Sequence, residues 1–305
     1  MFARALRRNA ALGAAVLSVP VAAMPFARSE QRVYVSGEAL GRGVRLEYWK
    51  AKHENVVVLD LESELIQLGM TRIRDRENEG KRFIHDANSV LRAAIDLAIT
   101  ELPNDEEAVV VTPRGHKAEG VVFEDDVKVC GIAVGSNVEV QKSLLSVLEG
   151  TLPFESALGD VLIAETAKGD ARVVKANLPE DLDGYEVLLL VPDFNALEKI
   201  SKTIHLLRQA GVEEEKLTVV TLVTCPEAAD KFCQTFGDAR LVTASFDAAR
   251  DGEGFIVPGI GAFEDRYLGA PSPYIELPEE DESSEAGDDE SDLKAKLTNW
   301  WPFKG

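Results

Sequence analysis

The stretch VLLLVPDFNALEKISKTIHLLRQAG, residues 187–211, contains the pattern that decides the fold. Its first five residues are apolar, which is typical of a buried strand, and from Leu197 apolar side chains recur at helical spacing until Gly211, a good helix stop. In α/β proteins the turn between such a strand and helix often holds a phosphate and is rich in glycine. The turn here, PDFNALE at residues 192–198, contains no glycine. The sequence therefore predicts the strand and helix of a phosphate site without its loop.

Similar segments occur along most of the chain. Apolar runs predict strands at residues 108–112, 127–134, 161–164, 217–223, 240–244 and 255–257, and residues 56–61 form a further short apolar run. Helical spacing predicts helices at residues 83–102, 143–148, 197–210 and 226–236. Strands that alternate with helices favour an α/β fold with a parallel, doubly wound sheet.

The composition of the 305 residues excludes several functions. Hydrophobic residues make up 45% and charged residues 28%, which is enough apolar material for one large core. The net charge of −20 argues against a nucleic-acid partner, because phosphate backbones are bound by Lys and Arg. The three cysteines and four histidines have no metal-ligand spacing, so we expect no metal site and no cofactor.

The N-terminus, residues 1–29, has a different composition from the rest of the chain. It carries four arginines and no acidic residue before Glu30, the pattern of a mitochondrial presequence. The uncharged run at residues 9–26 leaves two alternatives, a secretory or plastid signal and a single membrane anchor. As a membrane span the run is marginal, since it is rich in alanine and contains Pro20 and Pro25.

The C-terminal segment, residues 274–305, is acidic and low in apolar residues until its end, so it cannot bury enough surface to fold alone. Its last residues include the aromatic cluster Trp300, Trp301 and Phe303. One interpretation is a tail that folds back on its own domain. The other is a motif that binds a protein partner, since tryptophan is frequent at interface hot spots.

Several motifs between residues 71 and 270 resemble those of uracil phosphoribosyltransferases. TRIRD at residues 71–75 is similar to the family's T-x-L-R-D, and LPEDLDG at 178–184 to its L-P-E-D-I-D-G. FIVPGIGAFEDRYLG at 255–269 is similar to Y-I-V-P-G-L-G-D-A-G-D-R-L-F-G. The resemblance implies a family domain over residues 30–273, with a doubly wound, mostly parallel sheet and a small hood. It also implies the activity that joins uracil to phosphoribosyl pyrophosphate, Mg²⁺ if the protein is active, and a homodimer.

The positions that would bind phosphoribosyl pyrophosphate depart from the family pattern. The family's loop V-D-P-M-L-A-T-G-G falls on residues 190–198, where its ribose-binding aspartate is Val191 and its A-T-G-G is Asn195, Ala196, Leu197 and Glu198. Two family arginines fall on Val134 and Ala164, and a further aspartate falls on Ala262. Because the carboxylates, arginines and glycines for one ligand are missing together, we expect a degenerate site.

The turn at residues 192–198 also has a structural interpretation. Asn195 is placed as a helix N-cap with Glu198 three residues later, a capping-box arrangement that would satisfy the first backbone N–H groups of the helix. Glu198 would also put negative charge where a phosphate would lie, which stabilises the helix dipole and repels the ligand.

A residual base pocket is a weaker expectation. Ile256 and Gly261 would offer backbone contacts to uracil as in the family, whereas Phe263, in place of alanine, would fill or occlude the pocket. Asp265 and Arg266 match the family but also suit a structural ion pair. The basic residues Arg74, Lys81, Arg114, His116 and Lys117, which we predict on loops, either replace lost phosphate contacts or are simply solvated.

Three functional hypotheses follow from these observations. The leading one is a uracil phosphoribosyltransferase-like protein that has lost the phosphoribosyl pyrophosphate site and acts as a non-catalytic binding or structural subunit of a protein complex in mitochondria, with a plastid as the alternative. The second is an active enzyme that makes UMP. The third is a sensor that binds a base or nucleotide without turnover.

Overall fold

The computed structural model describes residues 53–269 except 125–126, 166–170, 195–196 and 253. The N-terminal segment 1–29, Asn195 and Ala196, and the tail with Trp300, Trp301 and Phe303 lie outside the described residues. Within the described ranges, no helix is both long and apolar enough to cross a membrane.

A seven-stranded sheet forms the centre of the domain. Its strands are β1 (Val56–Val58), β4 (Lys128–Gly135), β5 (Ala157–Glu165), β6 (Ala171–Asn177), β7 (Tyr185–Leu190), β8 (Leu217–Thr224) and β9 (Arg240–Phe246). They lie in the order β1-β9-β8-β7-β4-β5-β6, and all pair in parallel except the edge strand β6. Two antiparallel pairs stand outside this sheet, β2 (Asn104–Val111) with β3 (Lys117–Phe123) and β10 (Ala249–Arg250) with β11 (Ile256–Val257).

Helices are described at six places along the domain: α1 (Glu64–Arg74), α2 (Gly80–Ile99), α3 (Val138–Glu149), α4 (Leu197–Gln209), α5 (Pro226–Thr235) and α6 (Phe263–Leu268). Local sequence explains their ends. The Ser63 side chain accepts from the Ile66 N–H at the start of α1, and Asn137 Oδ1 accepts from the Glu139 N–H at the start of α3. Gly211, with φ of 95°, follows α4 as the sequence predicts.

The sheet is doubly wound. The chain moves from β4 to β5 in one direction and from β7 through β8 to β9 in the other. Because such crossovers are right-handed, α3 lies on one face and α4 and α5 lie on the opposite face. All eight residues of β8 are buried, as expected for a parallel strand covered on both faces. The predicted fold class is therefore confirmed, and β10, β11 and α6 form the small hood beside the carboxyl ends of β4 and β7.

Some elements were not predicted. The strands β3 and β6 contain apolar runs of only three and two residues, Val121–Phe123 and Val173–Val174, which are too short to indicate a strand. The helices α1 and α6 were also missed. As a result, three basic residues expected on loops lie in regular elements: Arg74 ends α1, Lys81 lies in α2 and Lys117 begins β3.

Candidate functional site

A cleft of about 460 Å³ lies at the carboxyl ends of β4 and β7, where the strand order reverses direction. This is the position at which open α/β sheets bind ligands. The end of β4 contributes residues 134–136, the turn after β7 contributes residues 191–193, and the start of α6 contributes residues 262–265. The cleft also includes Lys199 from α4 and Arg250 from β10.

The structure brings several of the predicted site residues together. Val134, Val191, Ala262 and Phe263 all line the cleft, although they are far apart in sequence. Leu197 and Glu198 are described in the first turn of α4, next to the cleft residue Lys199.

Other predicted site residues lie away from the cleft lining. Ala164 is exposed on β5, and Ile256 and Gly261 are not among the residues that line the cleft. In the β5–β6 register Ala164 is opposite Arg172, so an exposed arginine stands one strand away from the position where the family arginine was expected.

The turn after β7 is held by core packing and backbone hydrogen bonds. Phe194 is fully buried, and its ring meets Phe232 edge-on with 5.9 Å between centroids. The Pro192 carbonyl accepts from the Leu222 N–H at 3.2 Å, so the turn is tied to β8. In the described part of the turn, aromatic burial thus organises the backbone where a phosphate loop would use glycine.

Two carboxylates accept hydrogen bonds from backbone N–H groups in and near the cleft. Glu264 Oε1 accepts from the Ser136 N–H at 2.7 Å, at the loop between β4 and α3. Glu198 Oε2 accepts from the Ala171 N–H at 3.1 Å, at the start of β6. Asn195 is outside the described residues, so the capping box of Asn195 and Glu198 stays a prediction. The hydrogen bond that the structure describes for Glu198 is to β6.

Glu264 was not predicted as a site residue from the sequence, although its position in the family motif indicates a change of charge there. Glu264 stands where the family motif G-D-A-G-D has its second glycine. Relative to the glycine of the family motif, Glu264 adds one negative charge to the cleft. Its lining contains the acidic residues Asp193, Glu264 and Asp265 against the basic residues Lys199 and Arg250. A surplus of carboxylates disfavours a polyanionic ligand.

Phe263 fills the position that alanine has in the family. Only 1% of its surface is exposed, and its ring packs against Phe83 and Tyr267 at centroid distances of 6.0 and 5.3 Å. The side chain is therefore part of the core that attaches α6 to α2, as well as part of the cleft wall.

The FIVPG segment, residues 255–259, has a demanding backbone. The Val257–Pro258 peptide is cis, and Gly259 has φ of 61°. Asp247 holds this segment, because its Oδ2 accepts from the Gly259 N–H at 2.7 Å. Arg74 in turn donates to both Asp247 oxygens, at 2.8 and 2.7 Å. Arg74 is thus committed to a structural pair, which corrects the expectation of a basic residue on a loop.

Arg266 also has a structural role. It donates to four backbone carbonyl oxygens, those of Ile73 at 2.6 Å, Ile260 at 2.8 Å, Asp75 at 2.9 Å and Asn78 at 3.0 Å. Its guanidinium lies 4.1 Å from the centroid of the Phe83 ring. Burial lowers the pKa of Arg266. The guanidinium joins α6 to the end of α1 by binding carbonyls, instead of forming the ion pair with Asp265 that the sequence suggested.

A metal ion held by the protein needs several ligand side chains close together. Across the residues that the structure describes, no three His, Cys, Asp or Glu side chains are grouped to hold a metal ion. The cleft carboxylates accordingly do not form a protein cage for Mg²⁺, and Mg²⁺ stays a prediction only for an active enzyme.

Comparison with known proteins identifies the family. The family model for uracil phosphoribosyltransferase matches residues 60–270. The chain belongs to the uracil phosphoribosyltransferase family. It is 31% identical to a uracil phosphoribosyltransferase of Dictyostelium discoideum, over 71% of this chain and 97% of the relative. It is 30% identical to uracil phosphoribosyltransferase 1 of Schizosaccharomyces pombe, over 72% and 96%.

A solved structure supports the fold of this uracil phosphoribosyltransferase-family chain. The AQ2163 protein from Aquifex aeolicus superposes with a TM-score of 0.58 at 18% identity, over 72% of this chain and all of that one. At this level of identity the likeness concerns the fold alone. The predicted family and architecture are therefore confirmed.

Proposed function

We propose that this member of the uracil phosphoribosyltransferase family does not bind phosphoribosyl pyrophosphate and acts as a non-catalytic binding or structural subunit. The observation that supports it is the hydrogen bond from the Ser136 N–H to Glu264. A carboxylate of the protein itself occupies a backbone donor of the cleft, at a position where the family motif has glycine.

The walls of the cleft support the same proposal. Val134, Val191 and Ala262 line it at the positions where the family has an arginine and two aspartates. Phosphate and ribose groups need charge-assisted hydrogen bonds, each of which contributes more than a neutral one. The methyl groups at these three positions offer none, and Glu264 and Asp265 add repulsion.

The test is calorimetric titration of the full chain with phosphoribosyl pyrophosphate and Mg²⁺, with and without uracil. The uracil phosphoribosyltransferase of Dictyostelium discoideum, titrated in the same buffer, is the positive control. We expect no binding heat and no UMP from the chain. Binding with UMP formation would overturn the proposal in favour of an active enzyme, and binding of uracil alone would favour a sensor.

The hairpin of β2 and β3 supports a role in protein binding. Val109 and Val110 point to opposite faces because they are adjacent in a strand, yet 54% and 49% of their surfaces are exposed. Val111 and Val121 are also exposed, at 68% and 64%. A two-stranded hairpin with two apolar faces is only marginally stable in water, so we propose that a protein partner or a second copy covers it.

A matched pair of variants tests this surface. Replacing Val109 and Val121 with Lys should reduce the molar mass of the assembly in sedimentation, either by loss of a second copy or by loss of a co-purified partner. Replacing Val174, which is exposed on β6, with Lys should leave the mass unchanged. Equal masses for all three proteins would exclude the hairpin as the interface.

We also propose that residues 1–29 direct the protein to mitochondria, with a plastid as the alternative and membrane association as a further consequence if the segment is retained. The support is its four arginines without acidic residues. Import of the radiolabelled full chain into isolated mitochondria, with the four arginines replaced by Gln as control, tests the assignment. Equal import of both proteins would contradict it.

A further inference from the structure

An apolar stripe runs along the outer face of α1. Leu65 and Leu68 are 65% and 61% exposed, and Leu61, in the 3-10 turn Leu59–Leu61 that precedes the helix, is 39% exposed. Leu65 and Leu68 are three residues apart within α1 and therefore share one side of the helix, and Leu61 precedes that helix. Leu65 and Leu68 also line the same groove, and exposed leucines grouped in this way suit an interaction site better than scattered single residues do.

A shallow groove of about 70 Å³ lies beside this stripe, between α1 and α2. Its lining is mixed, with the apolar residues Leu65, Leu68, Gly69, Val90 and Ala93 and the polar residues Arg72, Asp86 and Ser89. Gly69 is essential to its shape, because a Cβ at this position would overlap the Val90 side chain, so the two helices approach closely there. The apolar part of the lining offers contacts to the edge of an aromatic ring, and Asp86 and Ser89 offer acceptors to an indole N–H.

The charged side chains around the groove are of both signs: Arg72 and Asp86 line it, and Glu62 and Glu64 are exposed near the start of α1. Between residues 72 and 92, α1, α2 and their connection expose five cations and three acidic residues; the cations are Arg72, Arg76, Lys81, Arg82 and Arg92. In a chain with a net charge of −20, this is a basic region. It attracts an acidic segment and supports the approach of an apolar motif that such a segment carries.

The chain beyond the described domain provides a segment of that chemistry. It continues for 36 residues after Gly269, with ten carboxylates and no Lys or Arg between Glu276 and Asp292, and then with Trp300, Trp301 and Phe303. Gly269 follows α6, and α6 is fixed to α2 by the Tyr267 hydroxyl, which donates to Asn88 Oδ1 at 2.6 Å. A linker of about 30 residues spans roughly 30 Å, whereas α2 is about 10 Å across.

We propose that the C-terminal aromatic motif of this chain docks in cis on the α1 surface formed by Leu61, Leu65, Leu68 and the adjacent groove. The acidic spacer lies along the exposed cations of residues 72–92, and the rings of Trp300 and Trp301 cover the leucine stripe. The domain thereby covers its own exposed apolar surface, independently of whether the cleft binds phosphoribosyl pyrophosphate.

Tryptophan fluorescence of the full chain tests the proposal. Because the chain has three tryptophans, replacing Trp49 with Phe leaves Trp300 and Trp301 as the only reporters. In this background we expect blue-shifted emission and weak acrylamide quenching. Adding Leu65→Gln and Leu68→Gln should shift the emission to the red and raise the quenching to that of a free peptide of residues 293–305. Gln preserves helix propensity, and circular dichroism verifies that α1 remains folded.

The control variant is Val174→Gln, an equally exposed apolar residue on the edge strand β6, which should leave the quenching unchanged. Three results would overturn the proposal. The first is acrylamide quenching of Trp300 and Trp301 at the free-peptide value in the protein with unchanged α1. The second is weak quenching that persists in the Leu65→Gln/Leu68→Gln protein. The third is quenching that rises to the free-peptide value on dilution. The last result would assign the contact to a second copy rather than to the same chain.

Discussion

At the residue scale, the FIVPG segment depends on a single glycine. Gly259 has φ of 61°, and a Cβ on it would overlap the carbonyl oxygen of Ile256. We expect Gly259→Ala to lower the free energy of unfolding by about 3 kcal/mol or more, because backbone strain and overlap act together. Gly184→Ala is the control, since Gly184 also has positive φ, 76°, but has open space around it. Its cost should be about 1 kcal/mol in urea unfolding, and equal costs would contradict this account.

Asp60 predicts a dependence of stability on pH. Burial raises the pKa of this carboxyl, and the Ser245 hydroxyl and the Arg74 guanidinium oppose the rise only in part. Because the folded pKa lies above the unfolded one, ionised Asp60 destabilises the native state at neutral pH. This penalty is relieved as pH falls through the folded pKa and is absent below the unfolded value.

Asp60→Asn should therefore raise the free energy of unfolding at pH 7 and flatten its change between neutral pH and about pH 4. Urea titrations at several pH values measure both effects. Glu149→Gln, at an exposed position, serves as the comparison. A variant less stable than the parent protein at pH 7 would show that the hydrogen bond from Ser245 outweighs the desolvation of Asp60.

At the scale of the element, Arg266 joins α6 to the end of α1. Four carbonyl oxygens need donors in several directions, which a guanidinium supplies and an ammonium cannot. We expect Arg266→Lys to cost about 2–3 kcal/mol of stability, because hydrogen bonds to carbonyls that are mostly part-buried are lost. Arg208→Lys, at a half-exposed ion pair with Glu214, should change stability by about 0.5 kcal/mol or less. Thermal unfolding that does not distinguish the two variants would refute the role of Arg266.

The sequence alone predicted some of these elements and site residues but not others. Strands β7 and β8 were predictable because both faces of each are covered, so their apolar runs are continuous. Strands β3 and β6 were not, because their apolar runs are only three and two residues long. In the site, motif positions located Val134, Val191 and Ala262 on one cleft, whereas the contacts of Glu264 and Arg266 depend on tertiary proximity that one sequence does not reveal.

At the scale of the whole molecule, the net charge of −20 acts on stability. Repulsion among carboxylates disfavours the compact state, and salt screens it, since the Debye length falls to about 3 Å at 1 M. We expect the melting temperature of the full chain to rise between low and moderate NaCl concentration. NaCl and sodium sulfate compared at equal ionic strength separate screening from salting-out. A melting temperature that falls with NaCl would mean that attractive ion pairs dominate.

The position of β1 at the edge of the sheet has a consequence for how the chain reaches its native state. Residue 56 pairs with residue 241, so the first strand of the described residues finds its neighbour only when nearly the whole domain has been synthesised. Contacts of such long sequence separation form late and slow the overall rate. Until then the apolar segment Val56–Leu59 lacks its partner strand β9, so it stays exposed and accessible to chaperones and translocation machinery.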